Sequence, residues 1–260
     1  MGEILIGTSG FDYPEWKGVF YPEDLARPSF LIYYKEHFRA LELNFSYYRM
    51  PTAAQLSRLV ERSGGKLLFS IKGHASLTHE VTSGWKAAAA EFRTALAPLV
   101  QEKLLAAVLL QFPTSFHYND ANRRYLNDLT ETFAGLPLTV EFRGADWMSR
   151  RVFDALAKRK IALCSTDMPT LKGLPPSLDI VTGDISYVRF HGRNEAHWWG
   201  SGVSERFDYL YTEQELAGWV PRLRTMADSA SRLFVFFNNH VRGKAVINAR
   251  MLADLLARDR

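Results

Sequence analysis

Eight short apolar runs recur along the sequence and constrain its fold more than any other feature. They cover Glu3–Thr8, Ala40–Asn44, Lys66–Lys72, Ala106–Gln111, Leu138–Glu141, Ala162–Ser165, Ser186–His191 and Leu233–Asn238. Most are almost wholly apolar, as expected of strands that are buried on both faces of a parallel sheet. Their starts lie roughly 23 to 48 residues apart, which is close to the length of one βαβ unit.

The segments between these runs carry patterns typical of amphipathic helices. The predicted helices are Ala53–Arg62, Lys86–Val100, Asp120–Phe133, Arg150–Arg159, Glu213–Ala227 and Ala245–Ala257. In the third of them, for example, the acidic capping residue Asp120 precedes Leu126 and Leu129 at helical spacing. Strands that alternate with helices over the whole length predict an α/β fold, a single (β/α)8 TIM-barrel-like domain over residues 1–260.

An open, doubly wound sheet is the alternative architecture. Such a sheet usually carries a glycine-rich turn for a dinucleotide after its first strand, with the spacing G-x-G-x-x-G. The corresponding segment, Gly7-Thr8-Ser9-Gly10, lacks that spacing. The sequence therefore favours the barrel and shows no motif for a nucleotide cofactor.

Composition narrows the class of protein further. A hydrophobic fraction of 47% and a charged fraction of 23% are typical of a globular protein and exclude disordered, collagen-like and coiled-coil chains. No run approaches the roughly 18–20 apolar residues that span a membrane, and Met1–Ile4 lacks the regions of a secretory signal. The lone Cys164 fits a reducing compartment. We therefore expect a cytoplasmic protein with no membrane partner.

Polar residues gather at the predicted carboxyl ends of the strands, where barrels of this type place their active sites. They are Thr8, Ser9, Glu42, Asn44, Lys72, Gln111, Glu141, Arg143, Asp167, Arg189, His191, Asn238 and Asn239. A charged group inside an apolar strand is costly unless it is paired or functional. Ion pairs that fill the top of the barrel are the structural alternative for any one of these groups. Their shared position nevertheless predicts a functional site.

Several ordered motifs resemble a known family. They are Ile6–Phe11 with Tyr13–Trp16 and Phe20–Pro22, Leu41–Asn44 with Tyr47–Arg49, Thr78–Glu80, Leu110–Pro113, Val140–Arg143 with Trp147, Tyr187–Gly192, and Phe237–Asn239 with Gly243, Ala245, Asn248 and Ala249. This set resembles the DUF72 family, also called YecE-like proteins, from near residue 4 to near residue 252. The resemblance implies a TIM-barrel-like fold and no established reaction. The segment Asn194–Tyr211 departs from the family's pattern, because Trp198 and Trp199 lie in a longer loop.

The favoured interpretation of the site is a pocket for a small anionic substrate. Lys72, Arg143 and Arg189 supply charge-assisted donors that suit a phosphate or a carboxylate. The neutral polar contacts would come from Asn44, Gln111, Asn238 and Asn239, and further candidate substrate-binding residues are Thr8, Ser9 and Asp167. Glu42, Glu141 and His191 are the candidates for acid–base catalysis. A glycosidase would also use a carboxylate pair, but it requires a particular separation between the two groups.

A metal-assisted hydrolase is a second interpretation, since Glu42, Glu141, Asp167 and His191 are oxygen and nitrogen ligands from four strands. The three cations predicted for the same site argue against it.

Aromatic residues near these strand ends, among them Trp16 and Tyr47, would stack a sugar or a nucleobase or would pack on one another as a lid. A nucleic-acid partner has weaker support, because the net charge is only +4 and the arginines are scattered. A non-catalytic binder of nucleic acid or of a phosphorylated metabolite stays an alternative to the enzyme.

Overall fold

Eight parallel strands form a closed barrel in chain order. The computed structural model describes residues 2–200 and 202–258. The strands are β1 (Glu3–Ser9), β2 (Ala40–Leu43), β3 (Leu68–Lys72), β4 (Leu105–Phe112), β5 (Leu138–Phe142), β6 (Ala162–Asp167), β7 (Ile185–Phe190) and β8 (Arg232–Phe237). Pairing of β8 with β1 closes the barrel, with Ile4 beside Leu233 and Thr8 beside Phe237. The predicted (β/α)8 TIM-barrel-like fold is confirmed.

Helices follow most of the strands and cover the outside of the barrel. They are α1 (Phe30–Tyr34), α2 (Phe45–Tyr48), α3 (Ala53–Ser63), α4 (Ala75–Thr78), α5 (Trp85–Ala95), α6 (Ala97–Gln101), α7 (Asp120–Thr132), α8 (Arg150–Lys158), α9 (Val203–Arg206), α10 (Glu213–Ala217), α11 (Val220–Asp228) and α12 (Lys244–Arg258). Short 3₁₀ helices cover Pro14–Trp16, Arg27–Ser29, Ala145–Trp147, Glu195–His197 and Val241–Gly243. None of the helices in the described part of the chain is long and apolar enough to cross a membrane.

Two predicted helices are each divided in the structure. The segment Lys86–Val100 forms α5 and α6, and the segment Glu213–Ala227 forms α10 and α11. In both cases a proline, Pro98 or Pro221, occupies the first turn of the second helix. Proline lacks a backbone N–H, so it is tolerated in a first turn and interrupts a continuing helix.

The connection from β6 to β7 is a loop. Residues 168–184 contain no helix. Three prolines, which disfavour helix, occur there at Pro169, Pro175 and Pro176. Leu174 of this loop packs with Met168 and with Trp198 from the loop that follows β7. The β6–β7 connection and the loop that follows β7 therefore meet above the carboxyl ends of the strands.

The barrel interior is filled by side chains from alternate positions on each strand. Leu5, Ala40, Ala107, Cys164, Tyr187, Phe234 and Phe236 belong to its apolar layers. The alternation continues upward, because Glu42 follows Ala40 and Arg189 follows Tyr187 at a spacing of two residues on their strands. Polar side chains thus lie directly above an apolar core at the end of the barrel where catalytic sites form.

Candidate functional site

A pocket of about 560 Å³ opens at the carboxyl ends of the strands. Its polar lining includes Asn44, Lys72, His79, Gln111, Thr114, Arg143, Arg189, Arg206, Asn238 and His240. Its aromatic lining comprises Tyr13, Tyr47, Tyr48, Trp198, Trp199 and Phe207. Among the described lining residues, four are lysine or arginine and none is aspartate or glutamate. The surface of the pocket is therefore cationic and walled by aromatic rings.

Arg189 lies at the base of this pocket and bridges two buried carboxylates. Its Nη1 donates to Glu141 Oε2 at 2.6 Å and its Nη2 donates to Glu42 Oε1 at 2.7 Å. Both glutamates are 0% exposed and Arg189 is 1% exposed. The hydroxyl of Tyr187 donates to the remaining oxygen of Glu42 at 2.7 Å. Charge-assisted bonds of this kind fix the guanidinium in one orientation.

Arg143 is held against the same carboxylate of Glu141. Its Nε donates to Glu141 Oε1, and its Nη2 lies 3.2 Å from His191 Nε2. His191 Nε2 lies 3.3 Å from Glu141 Oε1, and Asn238 Nδ2 lies 3.1 Å from His191 Nδ1. When Asn238 donates to Nδ1, the ring proton is on Nε2 and faces Glu141. We call Glu42, Glu141, Arg143, Arg189 and His191 the inner cluster.

The ionisation states of the inner cluster follow from burial and from the arginines. Burial alone would raise the pKa of the Glu141 carboxyl, but Arg143 and Arg189 hold it well below its usual range. Burial, together with the positive charge of Arg143, lowers the pKa of His191 to about 3. His191 is therefore neutral, and Glu141 ionised, at physiological pH.

Lys72 extends from the end of β3 into the pocket, and no carboxylate in the described part of the chain forms an ion pair with it. Its Nζ lies 4.1 Å from the centroid of the Tyr47 ring. Burial lowers its pKa, and the nearby Arg189 and Arg143 lower it further, to about 7. Both protonation states are thus populated near neutral pH, which is the condition for an efficient proton-transfer group.

The loop after β7 closes one side of the pocket. Arg143 and Arg206 approach the ring of Trp198 at 5.9 and 5.6 Å. The chain enters this loop through Gly192, whose φ of +90° is in the left-handed region that favours glycine. A Cβ there would lie 2.7 Å from Tyr209 Cβ. The segment that departs from the family's sequence pattern therefore shapes the pocket directly.

The whole chain can now be placed among known proteins. The family model described as "Protein of unknown function DUF72" matches residues 5–260. The chain belongs to the DUF72 family. It is 28% identical to the UPF0759 protein YunF of Bacillus subtilis, over 97% of this chain and 94% of that protein. A crystal structure of a DUF72 protein from Thermotoga maritima is 36% identical, covers 98% of this chain and 99% of its own, and superposes with a TM-score of 0.90. A DUF72 protein from Enterococcus faecalis, 24% identical over 98% of this chain and 95% of its own, has the same fold with a TM-score of 0.87.

The DUF72 structure brings many of the sequence-predicted site residues together. Those that line the pocket are Asn44, Tyr47, Lys72, Gln111, Arg143, Arg189 and Asn238. The three predicted acid–base groups, Glu42, Glu141 and His191, lie beneath this surface and are fully buried. Both carboxylates form ion pairs with arginine side chains. Glu42 and Glu141 are therefore placed to orient arginines, and they do not line the cavity.

Asp167 and Asn239 lie on the opposite faces of their strands. Asp167 is three residues beyond the inward-facing Cys164, so its side chain points toward the helices. Its carboxylate accepts bonds from Arg193 at 2.8 and 2.6 Å, from Tyr211 at 2.8 Å and from Trp219 at 2.7 Å. We call these four residues the outer cluster. Asn239, next to Asn238, donates to Asn248 Oδ1 at 2.9 Å.

Thr8, Ser9 and Trp16 are also outside the pocket lining. Thr8 donates from its backbone N–H to Tyr34 at 2.9 Å and from its hydroxyl to Gly10 at 2.6 Å. Ser9 is fully buried. Trp16 donates to the carbonyl of His240 at 2.8 Å, and it therefore supports the pocket wall from behind.

The sequence did not indicate several of the lining residues, among them His79, Arg206, Phe207 and His240. His240 stacks on Tyr13 with ring centroids 4.7 Å apart, and His79 packs edge-on against Tyr47 at 4.9 Å. Burial, followed by the charge of Lys72, lowers the pKa of His79 to about 4. Some of these residues belong to two sequence features, namely the Thr78-His79-Glu80 motif and the segment Asn194–Tyr211, which we call the divergent loop. Neither feature shows by itself that a residue lies on a pocket wall.

The side chains considered as metal ligands do not form a ligand set. Across residues 2–200 and 202–258, no group of three or more His, Cys, Asp or Glu side chains is arranged to hold a metal ion. Glu42 and Glu141 are bonded to arginines, and Asp167 faces the helices. The described residues therefore do not fit the metal centre that the sequence suggested.

Proposed function

We propose that this DUF72 protein is an enzyme that acts on a small molecule carrying a phosphate or a carboxylate, such as a phosphorylated sugar. The observation that carries the proposal is the cationic lining of the pocket by Lys72, Arg143, Arg189 and Arg206. Two buried glutamates balance part of this charge from below. An anion that enters the pocket would meet an excess of positive charge with no competing carboxylate at the surface.

The arginines are oriented before any ligand arrives. Arg189 is bonded to two carboxylates, and Arg143 is bonded to Glu141. An arginine that is already fixed loses little side-chain entropy when it binds an anion. Glu42 and Glu141 would contribute to binding through this positioning, and His191, whose Nε2 faces Glu141 Oε1 at 3.3 Å, would help to fix that carboxylate.

Lys72 is the proposed acid–base group. It lines the pocket and has a pKa of about 7, whereas His191 and the two glutamates are covered. The neutral amine would accept a proton from the substrate and return it later in the reaction. The aromatic walls, including the stacked pair Tyr13 and His240, would hold a sugar ring or another flat group next to the anion.

Thermal unfolding with glucose 6-phosphate and with glucose tests the anion site. The phosphorylated sugar should raise the unfolding temperature of the protein and glucose should not, because a ligand stabilises the fold to which it binds. Arg143→Ala should abolish this rise. The matched control is Arg151→Ala on α8, an exposed arginine outside the pocket. Equal responses in the two variants would disprove an anion site at Arg143.

A non-catalytic role in binding nucleic acid is the second candidate. Tyr48 and Trp199 at the mouth of the pocket are 75% and 51% exposed, and exposed rings beside cations can stack bases. Fluorescence anisotropy with a labelled single strand would support this role if binding were salt-dependent and weakened by Tyr48→Ala. Binding of glucose 6-phosphate without binding of the strand would favour the enzyme.

A further inference from the structure

Lys72 has the setting of a nucleophilic amine as well as that of a proton carrier. We infer that its Nζ forms a reversible imine with the carbonyl carbon of an aldehyde or ketone that bears a phosphate or a carboxylate. This inference rests on the proposed function, because Arg143 and Arg189 would bind the anionic group. It adds a covalent intermediate and restricts the substrate class to carbonyl compounds.

The first support is the position of the amine. Lys72 follows the inward-facing Ser70 by two residues on β3, and the Ser70 hydroxyl lies 2.6 Å from that of Tyr187 inside the barrel. Lys72 therefore also points inward, one layer higher, where it lines the pocket. Its stem is partly buried and its Nζ lies over the Tyr47 ring. A carbonyl group bound in the pocket would approach this nitrogen from the open side.

The second support is the contrast with the paired lysines of this chain. Lys66, Lys160 and Lys244 each form an ion pair with a carboxylate, which stabilises the charged, non-nucleophilic ammonium. No carboxylate oxygen among the described residues lies within the 4.0 Å of a salt bridge to Lys72. An amine that is desolvated and placed beside other cations is a weak base, and more of it is in the reactive neutral form.

The charges around Lys72 oppose one another. Burial has the largest influence and lowers the pKa of the amine. Arg189 and Arg143 lower it further, while Glu141 and Glu42, which favour the ammonium from below, raise it. The outcome is a pKa of about 7. Further titratable groups in the pocket lining are His79, Tyr47 and Tyr48.

The proposed step balances without an oxidant or a reductant. The lone pair of the neutral amine attacks the carbonyl carbon, the C–N bond forms, and the carbonyl oxygen takes up a proton to give a carbinolamine. That proton comes from the nitrogen. The C–O bond then breaks, and the hydroxyl takes the second proton of the nitrogen and leaves as water. The product is an imine and one molecule of water. On protonation this imine withdraws electrons from the adjacent carbon, which eases the cleavage of a C–H or C–C bond there.

Reductive trapping in the full-length protein tests the inference. The protein is incubated with glyceraldehyde 3-phosphate, with glyceraldehyde as the probe that lacks the phosphate, or with pyruvate, each in the presence of cyanoborohydride. An imine at Lys72 should be reduced to a stable secondary amine, and the added mass should equal that of the probe less one oxygen atom. Peptide mapping should place it on Lys72. A charge-assisted contact to the phosphate should give about tenfold more adduct than glyceraldehyde does.

Two variants provide the controls. Lys72→Arg keeps the positive charge but removes the amine, so the adduct at this site should be lost. Lys172→Arg changes an exposed lysine in the β6–β7 loop and should leave the trapping unchanged. Absence of an adduct on Lys72 with both anionic probes would overturn the inference, and so would equal labelling of Lys72 by glyceraldehyde and its phosphate.

The two proposals fail separately. If glucose 6-phosphate stabilises the protein through Arg143 but no adduct forms on Lys72, the anion site stands and the imine is wrong. If the adduct forms on Lys72 but Arg143→Ala leaves both its yield and the thermal response unchanged, the amine is reactive and the proposed anion site is wrong.

Discussion

Two buried carboxylate–arginine clusters lie at the same end of the barrel and differ in what surrounds them. In the outer cluster, one carboxylate receives four donated bonds from Arg193, Tyr211 and Trp219. In the inner cluster, Arg189 is shared between Glu42 and Glu141, and further cations line the pocket above it. The hydrogen bonds and charges of the outer cluster are paired within the cluster, whereas the inner cluster presents excess positive charge to a cavity.

The difference follows from the period of a strand. Residues two apart share a face, so Glu42, Glu141 and Arg189 meet inside the barrel, while Asp167 points to the helices. A buried carboxylate and similar chemistry in both clusters therefore do not imply an equal role. The donors and acceptors left over after internal pairing distinguish a site from a structural ion pair. One of them is the buried Nε of Arg189, which has no hydrogen-bond partner within residues 2–200 and 202–258.

The largest effect is expected for Arg189→Met. This change leaves two buried carboxylates without their shared cation, and such a loss destabilises a protein by about 3–5 kcal/mol. Urea unfolding would measure it. In the unchanged protein the pKa of Glu141 is lowered. The Glu141 carboxylate therefore stabilises the fold at any pH above the usual carboxyl pKa. This stabilisation is lost as the pH falls through the lowered pKa of the folded state. The variant should instead gain stability as the pH falls from 8 to 5, because protonation of the two carboxylates relieves the repulsion between them.

A compensated variant checks this explanation. Arg189→Met combined with Glu42→Gln and Glu141→Gln removes all three charges and should recover most of the lost stability. If Arg189→Met alone were as stable as the unchanged protein, the inner cluster would not be a tightly coupled unit.

A smaller loss is expected when the outer cluster is broken by Asp167→Ala. Trp219 would lose its buried acceptor, at about 1–3 kcal/mol for an unsatisfied group, whereas the Tyr211 hydroxyl still has the backbone carbonyl of residue 167 at 3.4 Å. Arg193 is less affected, since its side chain is 37% exposed and it also contacts Glu215 at 3.2 Å. The thermal response to glucose 6-phosphate, measured in the same samples, should not change. Loss of that response would show that the two clusters are not separate.

The sequence predicts the barrel well, because the apolar runs and their spacing are local properties. The seventh run, for instance, predicts Ser186–His191, and the strand is Ile185–Phe190. Alternation also places Asn238 and Asn239 on opposite faces at the end of β8, although both were expected to contact the substrate. By contrast, the bond between Arg189 and Glu42 joins residues 147 positions apart. Whether a glutamate at a strand end faces the cavity or lies under an arginine depends on such distances across the barrel, which no local pattern contains. For the same reason, the sequence does not reveal that Arg206 and Phe207 of the irregular loop after β7 line the pocket.

The titration of Lys72 offers a finer test of the inner region. With a pKa of about 7, its acylation by acetic anhydride should be half-maximal near pH 7, instead of near the roughly 10.4 of an ordinary lysine. Because the folded state disfavours the ammonium, stability should rise with pH between these two values relative to Lys72→Met. A bound phosphate should favour the ammonium and shift the midpoint upward. A midpoint near 10 that phosphate does not move would remove Lys72 from the mechanism.

The smallest effect on stability is expected at the mouth of the pocket, for Trp199→Ala. The side chain is 51% exposed, so the free energy of unfolding should change by less than about 0.5 kcal/mol. The affinity for glucose 6-phosphate should fall by about twofold to tenfold if the ring packs against the sugar, since aromatic contacts contribute about 0.5–1.5 kcal/mol. Ile32→Ala on α1 is the matched control, with 48% exposure and no place in the pocket. Titration calorimetry that finds equal affinities in the two variants would confine recognition to the inner cations, and the divergent loop would then act as a cover for the pocket without binding the sugar.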